Sequence, residues 1–237
     1  MNHSTATYHK MSRNSLLLKF LDSSDDLLEQ RYKVAQKLKY CFKDEVIINH
    51  GFQEILLLFK NTIVNDRMIN EVKKAIVTGD IIEPTARYNW KLPIYYNRHT
   101  ADFKSIVTHT QLSMDEIVEM HVSATYSVSF MGFLPGFPYL TGLPDLLHIP
   151  RKATPSLQVE NGSVAIAAGV CGIYPQSSPG GWHVIGNCPI PMFDINRSTP
   201  FLLNVNDQIR FYEVDLELYK SIKSNATSTD MSNYRYE

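Results

Sequence analysis

Between Asn14 and Tyr88 the apolar positions change period several times along the chain. Leu16 to Phe20 is an apolar run of strand length. Asp22-Ser23-Ser24-Asp25 follows, and short polar side chains of this kind accept hydrogen bonds from the first unpaired N–H groups of a helix. Leu27, Leu28, Tyr32, Ala35, Leu38 and Phe42 then recur in steps of three and four, the period of one buried helical face. Val46 to Ile48 and Ile55 to Phe59 flank Asn49-His50-Gly51, which predicts a hairpin. A second helix is expected over residues 65–77, with Met68, Ile69, Val72 and Ile76 facing inward. The order strand, helix, two strands, helix predicts a small α/β sandwich-type domain with its helices on one face of a sheet.

Residues 79–88, with Pro84, read as a connector, and Trp90 to Tyr95 as the first strand of a second domain. Phe103 to Thr110 is expected to be helical. Ser113, three places before Glu116, has capping-box spacing ahead of Ile117, Val118, Met120, His121 and Ala124. From Tyr126 onward, β-branched and aromatic runs alternate with Gly/Pro turns: Tyr126 to Met131, Ser163 to Ala167, His183 to Ile185, Phe201 to Val205 and Gln208 to Tyr212. That pattern is barrel-like. The fold class is α+β, with a flexible segment over residues 1–13, an N-terminal domain over 14–88, a β-barrel domain over 89–222, and a polar tail over 223–237 expected to be disordered.

Lys+Arg number 23 against 24 Asp+Glu, so no net basic field exists to attract nucleic acid or an anionic membrane. Leu16-Leu17-Leu18 is too short for a signal-peptide core or a membrane span, and a cytoplasmic location is expected. Cys41, Cys171 and Cys188 form no CxxC pair and are odd in number, which fits reduced thiols. No Cys/His spacing typical of a metal site occurs, and neither phosphate-binding glycine fingerprint is present, so no metal site is expected and any nucleotide binding has to use an uncommon site or a partner subunit.

The remaining chemistry is concentrated in one stretch. Nine of the 11 Gly and nine of the 12 Pro lie between Gly132 and Pro191, where the backbone conformation is therefore most specified. Phe133, Pro135, Gly136 and Phe137 supply rigid apolar surface for a small ring-bearing ligand, or alternatively plug one end of a barrel. Gly180 and Gly181 can present consecutive N–H groups to an anion, or simply form a tight turn, and Ser178 lacks the frame of a nucleophile elbow. Arg151 offers a planar fork to a carboxylate or phosphate, against a solvated surface role. His121 and His183 are candidates for proton transfer, against hydrogen-bonded structural roles.

In their order, Gly132-Phe133-Leu134-Pro135-Gly136-Phe137-Pro138-Tyr139-Leu140, Pro150-Arg151, Gly162-Ser163-Val164-Ala165-Ile166-Ala167, Gly172-Ile173-Tyr174-Pro175 and Ser178-Pro179-Gly180-Gly181-Trp182 resemble the family of 5-oxoprolinase B subunits. That family includes the KipI-type inhibitors of sporulation kinases and the first subunit, or carboxyltransferase half, of allophanate hydrolase and urea carboxylase systems. The resemblance extends weakly upstream through His121, Tyr126 and Val128. It implies that the barrel is cyclophilin-like. It also implies a subunit of a heteromeric ATP-dependent 5-oxoprolinase that opens 5-oxo-L-proline to L-glutamate, inactive alone, with C-subunit-like (KipA-like) and A-subunit-like (LamB/YcsF-like) partners.

The alternatives that the resemblance carries are a carboxyltransferase-like subunit, with biotin on another protein, and a non-enzymatic inhibitor of a sensor histidine kinase. Under the first reading His121, Arg151, Gly180 and Gly181 are the catalytic candidates. Phe133, Pro135, Gly136, Phe137, Ile173, Tyr174, Pro175, Ser178, Trp182 and His183 are the substrate-binding candidates. Four places depart from the family pattern: Ser156 and Asn187 stand where arginines are usual, Val170-Cys171 replaces Gln-Thr, and Glu160-Asn161 replaces Pro-Ala. Loss of two arginines beside Arg151 points to a decayed or re-purposed anion site.

Overall fold

The computed structural model describes residues 6–21, 27–78, 87–226 and 231–236. The chain divides into two compact units between Ala86 and Arg87. The first begins with β1 (Ala6–Lys10), paired antiparallel with β2 (Ser15–Phe20). Residues 6–10 are thus a strand and not part of a flexible segment, because Ala6 and Tyr8 pack against the core of the unit. Then come α1 (Leu27–Phe42), β3 (Val46–His50), β4 (Glu54–Phe59) and α2 (Asp66–Thr78), and the sheet order is β1-β2-β4-β3. Strand alternation places Leu16, Leu18 and Phe20 with Ile55, Leu57 and Phe59 on one buried face, where Val34, Leu38, Met68 and Val72 of the helices cover them. The helix-start cluster at Asp22 to Asp25 and residues 79–86 of the connector lie outside the described residues.

The second unit contains β5 (Asn89–Ile94), α3 (Ala101–Thr110), α4 (Met114–Ser123), β6 (Tyr126–Met131), β7 (Pro138–Thr141), β8 (Ser156–Val159), β9 (Ser163–Ala167), β10 (Val170–Ile173), β11 (Ser178–Gly180), β12 (His183–Asn187) and β13 (Gln208–Glu213). The capping box of α4 forms as the sequence predicts, with Ser113 Oγ accepting from Glu116 N and Glu116 accepting from Ser113 N. The main sheet runs β12-β9-β10-β7-β6-β13-β5, with a short C-terminal strand, Arg235–Tyr236, on the outer side of β5. Just past β5, Tyr95 exchanges backbone hydrogen bonds of 2.9 and 2.8 Å with Asn187 of β12, which closes the sheet into a barrel. Trp90, Ile94, Tyr126, Val164, Ile166, Ile185 and Phe211 are among the residues that fill its core. β8 and β11 form a separate two-stranded ribbon.

Two expectations fail here for identifiable reasons. Phe201 to Val205 makes no strand: Phe201 forms one isolated bridge to Phe193, and Leu202 and Leu203 are buried in a loop that ends at Asn206, whose φ is +78°. The carboxylate of Asp207 holds that loop by accepting from Asn204 N, Tyr88 N and Trp90 Nε1. The tail is not disordered over its described part. Helix α5 (Leu216–Asn225) is capped by Asp215, and β14 (Arg235–Tyr236) pairs antiparallel with β5. The Arg235 guanidinium lies 3.8 Å from the ring centre of Tyr88 and 4.7 Å from that of Trp90, a contact that apolar periodicity does not register.

Candidate functional site

The Gly/Pro-rich words fold into an aromatic pocket of about 320 Å³ on the barrel, lined by Phe133, Phe137, Tyr139, Tyr174 and Trp182, with Arg151 and Lys152 as its cations. Phe137, 1% exposed, is the hub: its ring centre lies 5.0 Å from Tyr139, 5.1 Å from Tyr174, 5.6 Å from Trp182 and 5.5 Å from Phe133. The near-perpendicular contacts with Phe133, Tyr174 and Trp182 set ring edges against ring faces and fix the walls. Gly172 on β10 makes the packing possible, because a Cβ there would lie 2.7 Å from Phe137 and 2.9 Å from Trp182. Phe133 is 60% exposed at the rim and adopts φ +66°, a conformation costly for a residue with a Cβ.

Arg151 is exposed at the mouth, and its positive charge acts against burial at Tyr139 and Tyr174. Burial still pushes the Tyr174 hydroxyl up to about 12, with Tyr139 and Asp102 adding to the rise. Lys152 is more constrained. Its ammonium donates to Asp102 Oδ1 and Oδ2 at 3.1 and 2.9 Å and to Ser156 Oγ at 2.6 Å, while Asp102 Oδ2 also accepts from Val184 N at 2.9 Å. One carboxylate thus ties α3 to β12 and to the loop that carries Arg151.

Phe133, Phe137, Tyr174, Trp182, Arg151, Gly180 and Gly181 therefore meet in one pocket. The other candidates do not line it. His121 is fully buried on the inner face of α4, where Nδ1 lies 2.7 Å from the Tyr96 hydroxyl and Nε2 3.6 Å from Cys171 Sγ, and burial lowers its pKa to about 3. It is thus enclosed in the barrel core, away from the pocket that Arg151 lines. His183 is buried against His109, with burial lowering its pKa, and its Nδ1 has no hydrogen-bond partner among the described residues. Ile173 belongs to the barrel core and Pro175 is buried beside it. Pro135 and Gly136 shape the turn that presents the two phenylalanines, with Gly136 at φ +84° against Phe193, and Ser178 Oγ donates to the Pro179 carbonyl.

Gly180 and Gly181 also need correction as an anion-binding backbone. Gly180 ends an extended strand paired with Ser156, the Gly181 carbonyl accepts from Lys152 N, and neither glycine has positive φ, so the alternating conformation of an N–H concavity is not formed. Glycine is required at 180 because a Cβ would lie 2.2 Å from the Tyr174 hydroxyl; at 181 it would meet only Pro155, at 3.7 Å. This backbone does not provide a polyphosphate cradle, so ATP does not fit these residues. Ser156 and Asn187 line a different cavity from the one that Arg151 lines.

Sequence reasoning missed Lys152 and Asp102, whereas Tyr139 lies in the aromatic stretch Phe133 to Leu140 that it read as pocket wall. Lys152 directly follows Arg151 and was legible as a neighbour, but no spacing links it to Asp102, 50 residues earlier.

The family model for the carboxyltransferase domain, subdomains C and D, matches residues 6–203. The chain belongs to the carboxyltransferase-domain family. This carboxyltransferase-domain chain is 42% identical over 133 residues to a protein named as the B subunit of 5-oxoprolinase from Escherichia coli O157:H7, covering 56% of the chain and 61% of that relative. It is 34% identical over 115 residues to a urea amidolyase of Saccharomyces cerevisiae, covering 45% of the chain and 6% of that relative. The crystal structure of TTHA0988 superposes with a TM-score of 0.72 at 27% identity, over 84% of this chain and 40% of that one. The chain thus spans less than two thirds of the length of each of these proteins.

Proposed function

We propose that this chain is one subunit of a heteromeric, ATP-dependent 5-oxoprolinase, and that its aromatic pocket holds 5-oxo-L-proline for opening to L-glutamate. The pocket carries the reading: five aromatic side chains surround a volume suited to a small ring, with a guanidinium at the mouth for one carboxylate. The similarity to proteins named as 5-oxoprolinase B subunits supports the substrate. Phe137 and Trp182 bound the ring, Arg151 holds the carboxylate, and the Lys152–Asp102 pair fixes the loop that bears Arg151. The nucleotide and the group that activates water belong to the C-subunit-like and A-subunit-like partners, in the cytoplasm.

The test is reconstitution. Trp182 fluorescence should respond to 5-oxoproline in the assembled complex, glutamate release should need ATP and every partner protein, and Arg151→Met should raise KM more than it lowers kcat. Glutamate release by the isolated chain, or a complex indifferent to Arg151, would overturn the proposal. The similarity to a urea amidolyase supports a second reading, in which the chain is carboxyltransferase-like and works on urea or a related amide. Carboxylation of urea by the reconstituted system, with no turnover of 5-oxoproline, would favour it.

A further inference from the structure

In the first unit, β3 is an edge strand: the sheet order β1-β2-β4-β3 pairs it with β4 alone. Lys60 N donates to the Glu45 carbonyl at 2.9 Å and Gly51 N to the Glu54 carbonyl at 2.8 Å. Antiparallel partners alternate between residues that exchange hydrogen bonds and residues that do not. Ile47 and Asn49 therefore turn their N–H and C=O toward β4, and Val46, Ile48 and His50 turn theirs outward. Among the described residues no partner is bonded to those outward groups. Natural sheets commonly blunt an open edge with proline or lysine, and Val46–His50 contains neither.

A groove of about 330 Å³ follows this edge, with Ala35, Gln36 and Lys39 of α1 on one side and Val46, Ile48 and His50 on the other. α1 and β3 run in opposite directions, since Arg31 donates to the Gly51 carbonyl just past β3 and Lys39 Nζ donates to the Lys43 carbonyl just before it. The lining charges stand together at the Val46 end, where Lys39, Lys60 and Asp44 have no ion-pair partner among the described residues. Two ammonium groups against one carboxylate leave that end positive. At the other end, burial and the neighbouring Arg31 lower the pKa of His50 to about 4, so its imidazole is neutral at neutral pH. Between the two ends the wall is apolar, made by Ala35 and Ile48.

We propose that this groove docks an extended acidic segment of a partner protein, which adds a fifth strand to the sheet beside β3. The outward N–H and C=O groups of Val46, Ile48 and His50 hold its backbone. Running antiparallel, as every pair already in the sheet does, it sets an apolar side chain against Ala35 and Ile48 and then a carboxylate against Lys39 and Lys60. The charge selects the occupant. Neither edge strand of the sheet, Ala6–Lys10 or Val46–His50, contains an acidic residue, so a second copy adding either strand brings no carboxylate to the two lysines. The proposal stands apart from the aromatic pocket, with which the groove shares no lining residue.

The test titrates three acetylated and amidated hexapeptides into the full-length ¹⁵N-labelled protein: Thr-Thr-Val-Thr-Glu-Thr, the same peptide with lysine in place of glutamate, and the same peptide N-methylated at valine. The acidic peptide should shift the backbone amides of Val46, Ile48 and His50 in a saturable way and more than those of Ile47 and Asn49. N-methylation removes a strand-pairing donor and should weaken binding about fivefold. The lysine peptide should bind about fivefold more weakly than the acidic one, and Lys60→Glu, a change at an exposed position, should reverse that order. No saturable shift at millimolar peptide, equal binding of the acidic and lysine peptides, or unchanged affinity on N-methylation would each overturn the proposal. Shifts of the same three amides with protein concentration alone would give the edge to a second copy and overturn it too. Failure of 5-oxoproline to bind the aromatic pocket would leave all these readouts unchanged.

Discussion

His121 ties the stability of the barrel unit to pH. Its imidazole is fully buried, held between Tyr96 and Cys171 and stacked on Phe211 with ring centres 5.0 Å apart. Burial lowers its pKa from 6.5 to about 3. The unfolded chain therefore takes up the proton first as pH falls, and stability present above about pH 6.5 is lost progressively until the folded form also protonates near pH 3. Each tenfold difference in proton affinity between the folded and unfolded forms is worth about 1.4 kcal/mol, so the loss at pH 5 relative to pH 8 is about 2 kcal/mol from this residue alone. Urea unfolding followed by tryptophan fluorescence reads the barrel unit specifically, because Trp90 and Trp182 are the two tryptophans of the chain. His121→Phe removes the titrating group while keeping a ring against Phe211. The variant is expected to be less stable at pH 8, since Tyr96 loses its partner, but its stability should fall by about 2 kcal/mol less between pH 8 and pH 5 than that of the wild type. Parallel pH dependences in the two proteins would show that His121 is not held neutral and refute the argument.

Gly180→Ala should displace Tyr174 and lower stability by about 1–3 kcal/mol, whereas Gly181→Ala should stay within about 0.5 kcal/mol of wild type by thermal melting. A larger loss at 181 than at 180 would contradict the extended backbone described for this ribbon. Asp102→Asn strips the Lys152 ammonium of its counter-charge and should cost about 3 kcal/mol in urea unfolding. That loss should be partly recovered by adding Lys152→Met, and an additive double variant would show that the pair is not coupled. Of the three cysteines, Cys41 is exposed and the other two are buried, with burial pushing the Cys188 thiol up to about 12 and the Cys171 thiol higher still. A thiol reagent should therefore label Cys41 rapidly and Cys171 and Cys188 only on unfolding, and fast reaction of two or three thiols in the native protein would count against this core.

What the sequence disclosed follows from where each element gets its stability. Helices α1, α2 and α4 were legible because a single buried face repeats every three to four residues, and the capping box at Ser113 and Glu116 is a local interaction. Strands such as β6 and β9 carry long β-branched or aromatic runs and were equally visible. By contrast β7, β8, β10 and β11 are three or four residues long and contain Pro138, Ser156, Gly172 and Pro179, residues that read locally as turns; they become strands only because a partner lies alongside. The same distinction separates the two cavities of the barrel unit. The aromatic pocket was legible because its walls sit within one Gly/Pro-rich stretch, and their spacing already specifies rigid loops. The cavity that Ser156 and Asn187 line was not, because barrel closure assembles it: Tyr95 meets Asn187, α5 delivers Tyr219 to the same asparagine, and Asp102 reaches Lys152 across 50 residues. The serine and asparagine that read as two missing arginines are thus bound into a working hydrogen-bond network. Ser156 is engaged by an ammonium and Asn187 by a tyrosine and a backbone carbonyl, so both side chains are fixed by partners that lie far from them in sequence or on another element, and no local pattern could have shown this.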